Sequence, residues 1–203
     1  AHLVGPDAAF TRVTTDSRKA GEGDLFVALR GAHFDGHDFV GTLAAAGVSA
    51  ALVEKVVDPT LPQMVVKDTV MALGQLGWIN RRRFNGQIVA ITGSNGKTTV
   101  KEMIAAILAG GGPVCKTMGN LNNHLGVPLS LLSLTEKDRF GVFELGASHG
   151  GEIAYTVRLV DPDVAVLVNA GGGPLGGFGS RGGIAAAKGG VVAGLSGPGA
   201  AIP

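Results

Sequence analysis

The chain has 203 residues and a net charge of +1, from 17 Lys and Arg against 16 Asp and Glu. That balance gives no electrostatic support for nucleic-acid or anionic-membrane binding. Its lone cysteine, Cys115, excludes an internal disulfide and a cysteine metal cluster. Glycine is the departure: of 34 in all, 13 fall in residues 170–203, where Arg181 and Lys188 are the only charges. The absence of a Gly-X-Y period excludes collagen, which leaves low complexity confined to the tail or an altered end to a globular domain.

In chain order, residues 24–29 (Asp-Leu-Phe-Val-Ala-Leu) predict a strand after the turn Gly21-Glu22-Gly23. Residues 39–46 predict a short helix ended by Gly47, with strands following at 50–53 and 63–66. Residues 69–83 predict a helix ending in Arg81-Arg82-Arg83. Three arginines suit a helix carboxyl end, and an anion site is the alternative. Beyond the turn Asn85-Gly86, residues 87–92 form the continuous apolar run of a strand buried on both faces. Residues 97–109 have helical spacing, with Val100, Met103, Ile104, Ile107 and Leu108 on one side, and buried strands are expected at 140–145 and 164–168. Strands separated by helices predict a doubly wound sheet, with ligands beyond the carboxyl ends of its strands.

The first loop in that position reads Thr92-Gly93-Ser94-Asn95-Gly96-Lys97-Thr98-Thr99. Gly93, Ser94, Asn95 and Gly96 let backbone N–H groups curl around phosphate oxygens. Lys97 is placed to neutralise β- and γ-phosphates, and the Thr98 hydroxyl to ligate Mg²⁺, with Thr99 beside it in the first helical turn. Ile91 stands where the strict phosphate-loop spacing has a glycine, so the buried strand before the loop and the helix after it carry the reading. At the next strand end, Glu144 is an acid in an apolar run, which requires a partner or a metal. A Mg²⁺ shared with Thr98 and a structural salt bridge are the two readings. His149 reads as a metal ligand or as a capping, solvent-facing side chain. Asn120, Asn122 and Asn123 precede Gly126-Val127-Pro128; they read as turn chemistry or as uncharged contacts to a polar substrate.

Together these stretches resemble the Mur ligase family, the ATP-dependent amide ligases of peptidoglycan synthesis. The match is carried by Thr15-Asp16-Ser17-Arg18, Gly23-Asp24-Leu25-Phe26-Val27-Ala28-Leu29 and Phe34-Asp35-Gly36-His37-Asp38-Phe39. It continues through the loop at 92–99, residues 119–129, Glu144-Leu145-Gly146-Ala147 and Gly151-Glu152-Ile153. The resemblance is strongest to the branch that adds D-alanyl-D-alanine to UDP-N-acetylmuramoyl tripeptide.

It implies an α/β protein: a small N-terminal α/β domain at 1–84 that holds the UDP end of the substrate, with Ser17 and Arg18 near the nucleotide. A truncated P-loop domain with a doubly wound, mostly parallel sheet follows at 85–203. It also implies ATP and Mg²⁺ as cofactors, Lys97, Glu144 and Lys188 as catalytic residues, and Thr98, Glu144 and a carbamylated Lys188 around metal, with His149 a metal candidate from its loop alone. The reaction it implies runs through an acyl phosphate, which the amine of D-alanyl-D-alanine then displaces.

Three residues depart from the family pattern, one of them Gly190, which follows the family-like Ala187-Lys188-Gly189 where an acid is usual. Pro174 stands at a metal-binding histidine and Gly176 at a glutamate, which puts a second metal site in doubt. The family's third domain is not in this sequence, so the chain alone is expected not to complete ligation. A cytoplasmic location is expected, since no signal-peptide pattern or membrane-length apolar run is visible and the single cysteine suits a reducing compartment; a monomer is expected as well. The alternatives are another Mur-type or folylpolyglutamate-type ligase and a non-catalytic nucleotide-binding fragment. A P-loop kinase or GTPase lacks support: no Asn-Lys-x-Asp motif occurs and the Ser17-Arg18 stretch would go unexplained.

Overall fold

The computed structural model describes residues 1–57, 60–147, 149, 151–169 and 189–191, with the backbone of 200–202. The chain forms two compact units, Ala1–Leu73 and Gly74–Pro203.

The first unit is a five-stranded sheet of β1 (His2–Val4), β2 (Arg12–Thr14), β3 (Asp24–Val27), β4 (Ala50–Val53) and β5 (Gln63–Val65), in the order β1-β5-β4-β3-β2. Its pairs are parallel except β1 with β5. Every residue of β3 and β4 is buried, which is why these two strands read as apolar runs. Phe26, Ala28, Val40, Leu43, Ala51, Val53 and Leu61 form the core. The predicted strand 24–29 ends at Val27, although the Ala28 N–H still donates to Leu52 O at 3.0 Å. The predicted helix 39–46 begins as a 3-10 turn, Gly36–Phe39, before α1 (Val40–Ala45).

Asp35 organises that entry. Its carboxylate accepts the His37 backbone N–H at 3.0 Å and pairs with His37 Nδ1 at 2.5 Å and Arg30 Nε at 3.2 Å. The buried His37 ring accepts the Glu54 N–H on Nε2 at 2.9 Å, so Nε2 carries no proton and Nδ1 donates. The backbone and side-chain bonds from His37 hold the Asp35 carboxyl down at about 2. A carboxyl that titrates lower when folded adds stability above its unfolded value of about 3.9, and that stability is lost as pH falls toward 2. The urea midpoint of the chain is therefore expected to fall between pH 4 and pH 2, and Asp35→Asn to flatten part of the fall. An identical pH profile for the variant would refute this role.

The second unit contains most of α2 (Thr69–Arg83), because the division between the units falls inside this helix. Asn80 Nδ2 donates to Leu131 O and Leu134 O at 2.9 and 3.0 Å. The triple arginine does three different things. Half-buried Arg81 donates to Val160 O and Asp161 O, each at 2.7 Å, and so caps the carboxyl end of α5 (Glu152–Val160). Arg82 lies over the Trp78 ring at 5.6 Å. Arg83 lines a cleft near the start of the strands.

This unit's sheet joins β6 (Gln87–Thr92), β7 (Val114–Lys116), β8 (Phe140–Glu144), β9 (Val164–Leu167) and β10 (Ala200–Ile202) in the order β10-β9-β6-β8-β7. All its pairs are parallel. Alternation along the strands gives each face a helix layer. Ile88, Ala90 and Phe143 pack in one core with residues of α5 and of α4 (Gly126–Leu131). Ile91, Val142 and Val166 pack on the other side with α3 (Lys97–Ala109).

Two sequence expectations change here. On α3 the inner face is Val100, Lys101, Ile104, Ala105 and Leu108, whereas Met103 and Ile107 are exposed. Lys101 can be buried because its ammonium donates to Thr117 O at 2.9 Å and pairs with Glu102 Oε1 at 3.1 Å. The Gly126-Val127-Pro128 stretch is the first turn of α4 and not a free turn; proline fits there because that N–H has no intrahelical partner.

Candidate functional site

The strand β6 runs without break into the phosphate-loop sequence, which starts at Gly93. Ile91 is fully buried in the sheet, in register with Glu144 of β8. The strict glycine is therefore absent because that position is still strand and packs in the core. Gly96 has φ +77°, a left-handed conformation that turns the chain into α3 and that a β-carbon would strain. No side chain caps the start of α3, so its first N–H groups point out of the loop with the positive end of the helix dipole. Lys97 folds back so that Nζ donates to Gly93 O at 2.9 Å.

Glu144 ends β8 on the face that carries α3. It is buried, and both carboxylate oxygens are bonded: Thr98 Oγ1 donates to Oε2 and Asn122 Nδ2 to Oε1, each at 2.9 Å. Its own N–H donates to Thr117 Oγ1 at 3.0 Å. No Lys, Arg or His among the described residues makes an ion pair with it. The salt-bridge alternative thus has no partner there. A buried carboxylate held by neutral donors beside a threonine hydroxyl is the donor set that hard divalent cations take.

The three asparagines separate. Asn122 is committed to Glu144, and its carbonyl accepts the Gly146 N–H at 2.7 Å. Asn123 Oδ1 accepts the N–H groups of Gly126 at 2.8 Å and Leu125 at 3.2 Å, and so caps the entry to α4. Asn120 is exposed and its carbonyl accepts the Asn122 N–H at 2.8 Å. His149 lies against Glu152, with its N–H 3.2 Å from Oε2 and its ring 3.7 Å from Oε1. Lys188, Pro174 and Gly176 lie outside the described residues.

Sequence reasoning missed Asn169, although it immediately follows the third predicted strand. It closes on the loop from the end of β9, with Oδ1 accepting the Ser94 N–H at 3.0 Å. It also missed Thr117, whose hydroxyl accepts the Glu144 N–H, and Lys101, which donates to the Thr117 carbonyl.

In the first unit, Ser17 and Arg18 line a cleft of about 480 Å³ with Phe26, Phe34 and Phe39. Arg18 is held in a bidentate pair with Asp16, at 2.8 and 2.9 Å, which keeps the Asp16 carboxyl down at about 2. A wider cleft of about 830 Å³ in the second unit, lined by Arg83, Lys137 and Arg139 among others, opens where β6 and β8 begin. That is the opposite end of the parallel sheet from the loop.

The model of the Mur ligase middle domain matches residues 91–203, and that of the Mur ligase family catalytic domain matches residues 9–76. The chain belongs to the Mur ligase family. It is 50% identical over 200 residues to the UDP-N-acetylmuramoyl-tripeptide–D-alanyl-D-alanine ligase of Escherichia coli, across 98% of this chain and 44% of that one. Against the Bacillus subtilis ligase of the same name it is 43% identical over 194 residues, across 94% of this chain and 42% of the relative. Among solved structures, MurF from Acinetobacter baumannii superposes with a TM-score of 0.89 at 47% identity, over 94% of this chain and 42% of that one. MurF ligase from Thermotoga maritima, solved in complex with ADP, gives 0.88 at 36% identity, over 94% and 44%. This Mur ligase chain thus spans less than half the length of the relatives it matches.

Proposed function

We propose that this chain provides the UDP-substrate-binding and nucleotide-binding parts of an ATP-dependent ligase that joins D-alanyl-D-alanine to UDP-N-acetylmuramoyl tripeptide. The observation that carries the reading is the 2.9 Å bond between Thr98 and Glu144, which sets a buried carboxylate beside the phosphate loop. The names of the relatives and the ADP complex of the Thermotoga maritima structure supply the substrates.

The loop at 93–99 meets the phosphates through the uncapped N–H groups at the start of α3, and Lys97 exchanges its Gly93 contact for phosphate oxygens. Thr98 and Glu144 are the residues that hold Mg²⁺, which when bound offsets negative charge on the phosphates. Among the described residues no cluster of three or more His, Cys, Asp or Glu gathers. One carboxylate and one hydroxyl suit Mg²⁺, which takes its remaining oxygens from phosphate and water. The tripeptide carboxylate accepts the γ-phosphoryl group of ATP, and the amine of D-alanyl-D-alanine then displaces phosphate to form the amide. The cleft of Ser17, Arg18 and the phenylalanines receives the UDP end, with the exposed faces of Phe34 and Phe39 for a base.

We place the protein in the cytoplasm and read it as a monomer. Among the described residues no helix is long and apolar enough to cross a membrane.

Calorimetric titration tests the reading. The chain is expected to bind ADP about tenfold or more tightly with Mg²⁺ than with EDTA, and to bind UDP-N-acetylmuramoyl tripeptide equally in both. Failure to bind ADP, or ADP binding that EDTA leaves unchanged, overturns it.

A further inference from the structure

We infer that Asn169 is a positioning residue of the nucleotide loop: its carboxamide fastens the loop's first turn to the end of β9 and holds the curl in which phosphates are met. The inference rests on the nucleotide reading of that loop. Four hydrogen bonds join the two segments. Asn169 Oδ1 accepts the N–H groups of Ser94 at 3.0 Å and Asn95 at 3.2 Å. Nδ2 donates to Asn95 O at 3.0 Å, and the Asn169 backbone carbonyl accepts the Ser94 N–H at 3.1 Å. The parallel ladder leads directly into this contact, since the Val168 N–H donates to Thr92 O at 2.9 Å. Gly93 permits the approach, because a β-carbon there would come within 3.0 Å of Val168 Cβ and 3.2 Å of Asn169 N.

The chemistry distinguishes a brace from a stand-in for phosphate. A stand-in would need only to accept from the loop's N–H groups. Asn169 both accepts and donates, and its bond to Asn95 O is one that a phosphate oxygen cannot make. The brace also leaves the uncapped N–H groups at the start of α3 for the ligand. A neutral amide is suited to this place: an aspartate would supply the same acceptor but would set a negative charge beside the phosphates.

The test uses the whole chain with Asn169→Ala and Asn169→Asp, read by amide hydrogen exchange and by Mg-ADP and UDP-N-acetylmuramoyl tripeptide titration. In Asn169→Ala, exchange at Asn95 N–H is expected to accelerate and the Kd for Mg-ADP to rise about tenfold, with tripeptide binding unchanged. Asn169→Asp is expected to keep Asn95 protected and still to bind Mg-ADP more weakly, a split that general destabilisation does not produce. Wild-type binding of Mg-ADP with an equal or lower Kd in Asn169→Ala overturns the inference alone. Failure of the wild-type chain to bind Mg-ADP defeats the nucleotide reading first and the inference with it.

Discussion

Replacement of Lys97 by Ala is expected to raise the Kd for Mg-ATP by about 10- to 100-fold, while the melting temperature stays within about 4 °C of wild type. The first figure follows from the loss of a charge-assisted hydrogen bond to phosphate, worth about 1.5–3 kcal/mol. The second follows from the free-protein geometry. The Lys97 ammonium makes its 2.9 Å bond to Gly93 O within the loop itself, so its removal unties no packed element. Its loss costs about 1 kcal/mol or less, which for a chain of this size is a shift of a few degrees. A fluorescent-nucleotide titration beside a thermal melt checks both halves. Unchanged affinity would remove Lys97 from the phosphate site, and a collapse in melting temperature would make it a structural lysine.

The contrast with Lys101, four residues on, shows what the sequence could and could not disclose. Both lysines lie on α3, and nothing in the local pattern marks one as buried. Lys101 is inside because a carbonyl 16 residues away, that of Thr117, receives its ammonium. Conversely, Met103 and Ile107 look like core by spacing and are exposed. Hydrophobic period identifies a helix better than it identifies the inward face, because the face depends on partners that the helix does not contain.

The same reason explains which elements were legible. β6, α2 and α3 match the expected bounds because a doubly buried run, a left-handed glycine and turn residues mark their ends locally. β1, β2 and β7 have three residues each and are defined only by the strands they pair with. For α5 the signal was present and unused: Ile153, Val157 and Val160 recur at helical spacing and are buried. At the site, Thr98 and Glu144 could be paired from sequence because Glu144 ends one recognisable strand and Thr98 lies in the first turn of the helix that follows the loop after another. Asn122 and Asn169 could not. Their partners lie 22 and 75 residues away, and an asparagine in a loop has many local uses.

Glu144 provides the second large effect, and the choice of substitution decides what is measured. Glu144→Ala removes the acceptor of both Thr98 Oγ1 and Asn122 Nδ2 in a buried site, at about 1–3 kcal/mol for each donor left unpaired. Its loss of nucleotide binding would then be mixed with loss of fold. Glu144→Gln avoids this. The glutamine oxygen still accepts from Asn122, and its amide nitrogen can donate to Thr98 Oγ1, because a hydroxyl accepts as well as donates. What disappears is the negative charge. The expected result is that Mg²⁺ no longer strengthens ADP binding. The variant's Kd in Mg²⁺ should rise about tenfold or more, toward the value that wild type shows in EDTA, and its own Kd in EDTA should be no higher than wild type's, because a negative charge beside the phosphates is gone. A Glu144→Gln variant that keeps the full response to Mg²⁺ would show that the carboxylate serves the bond to Thr98 alone.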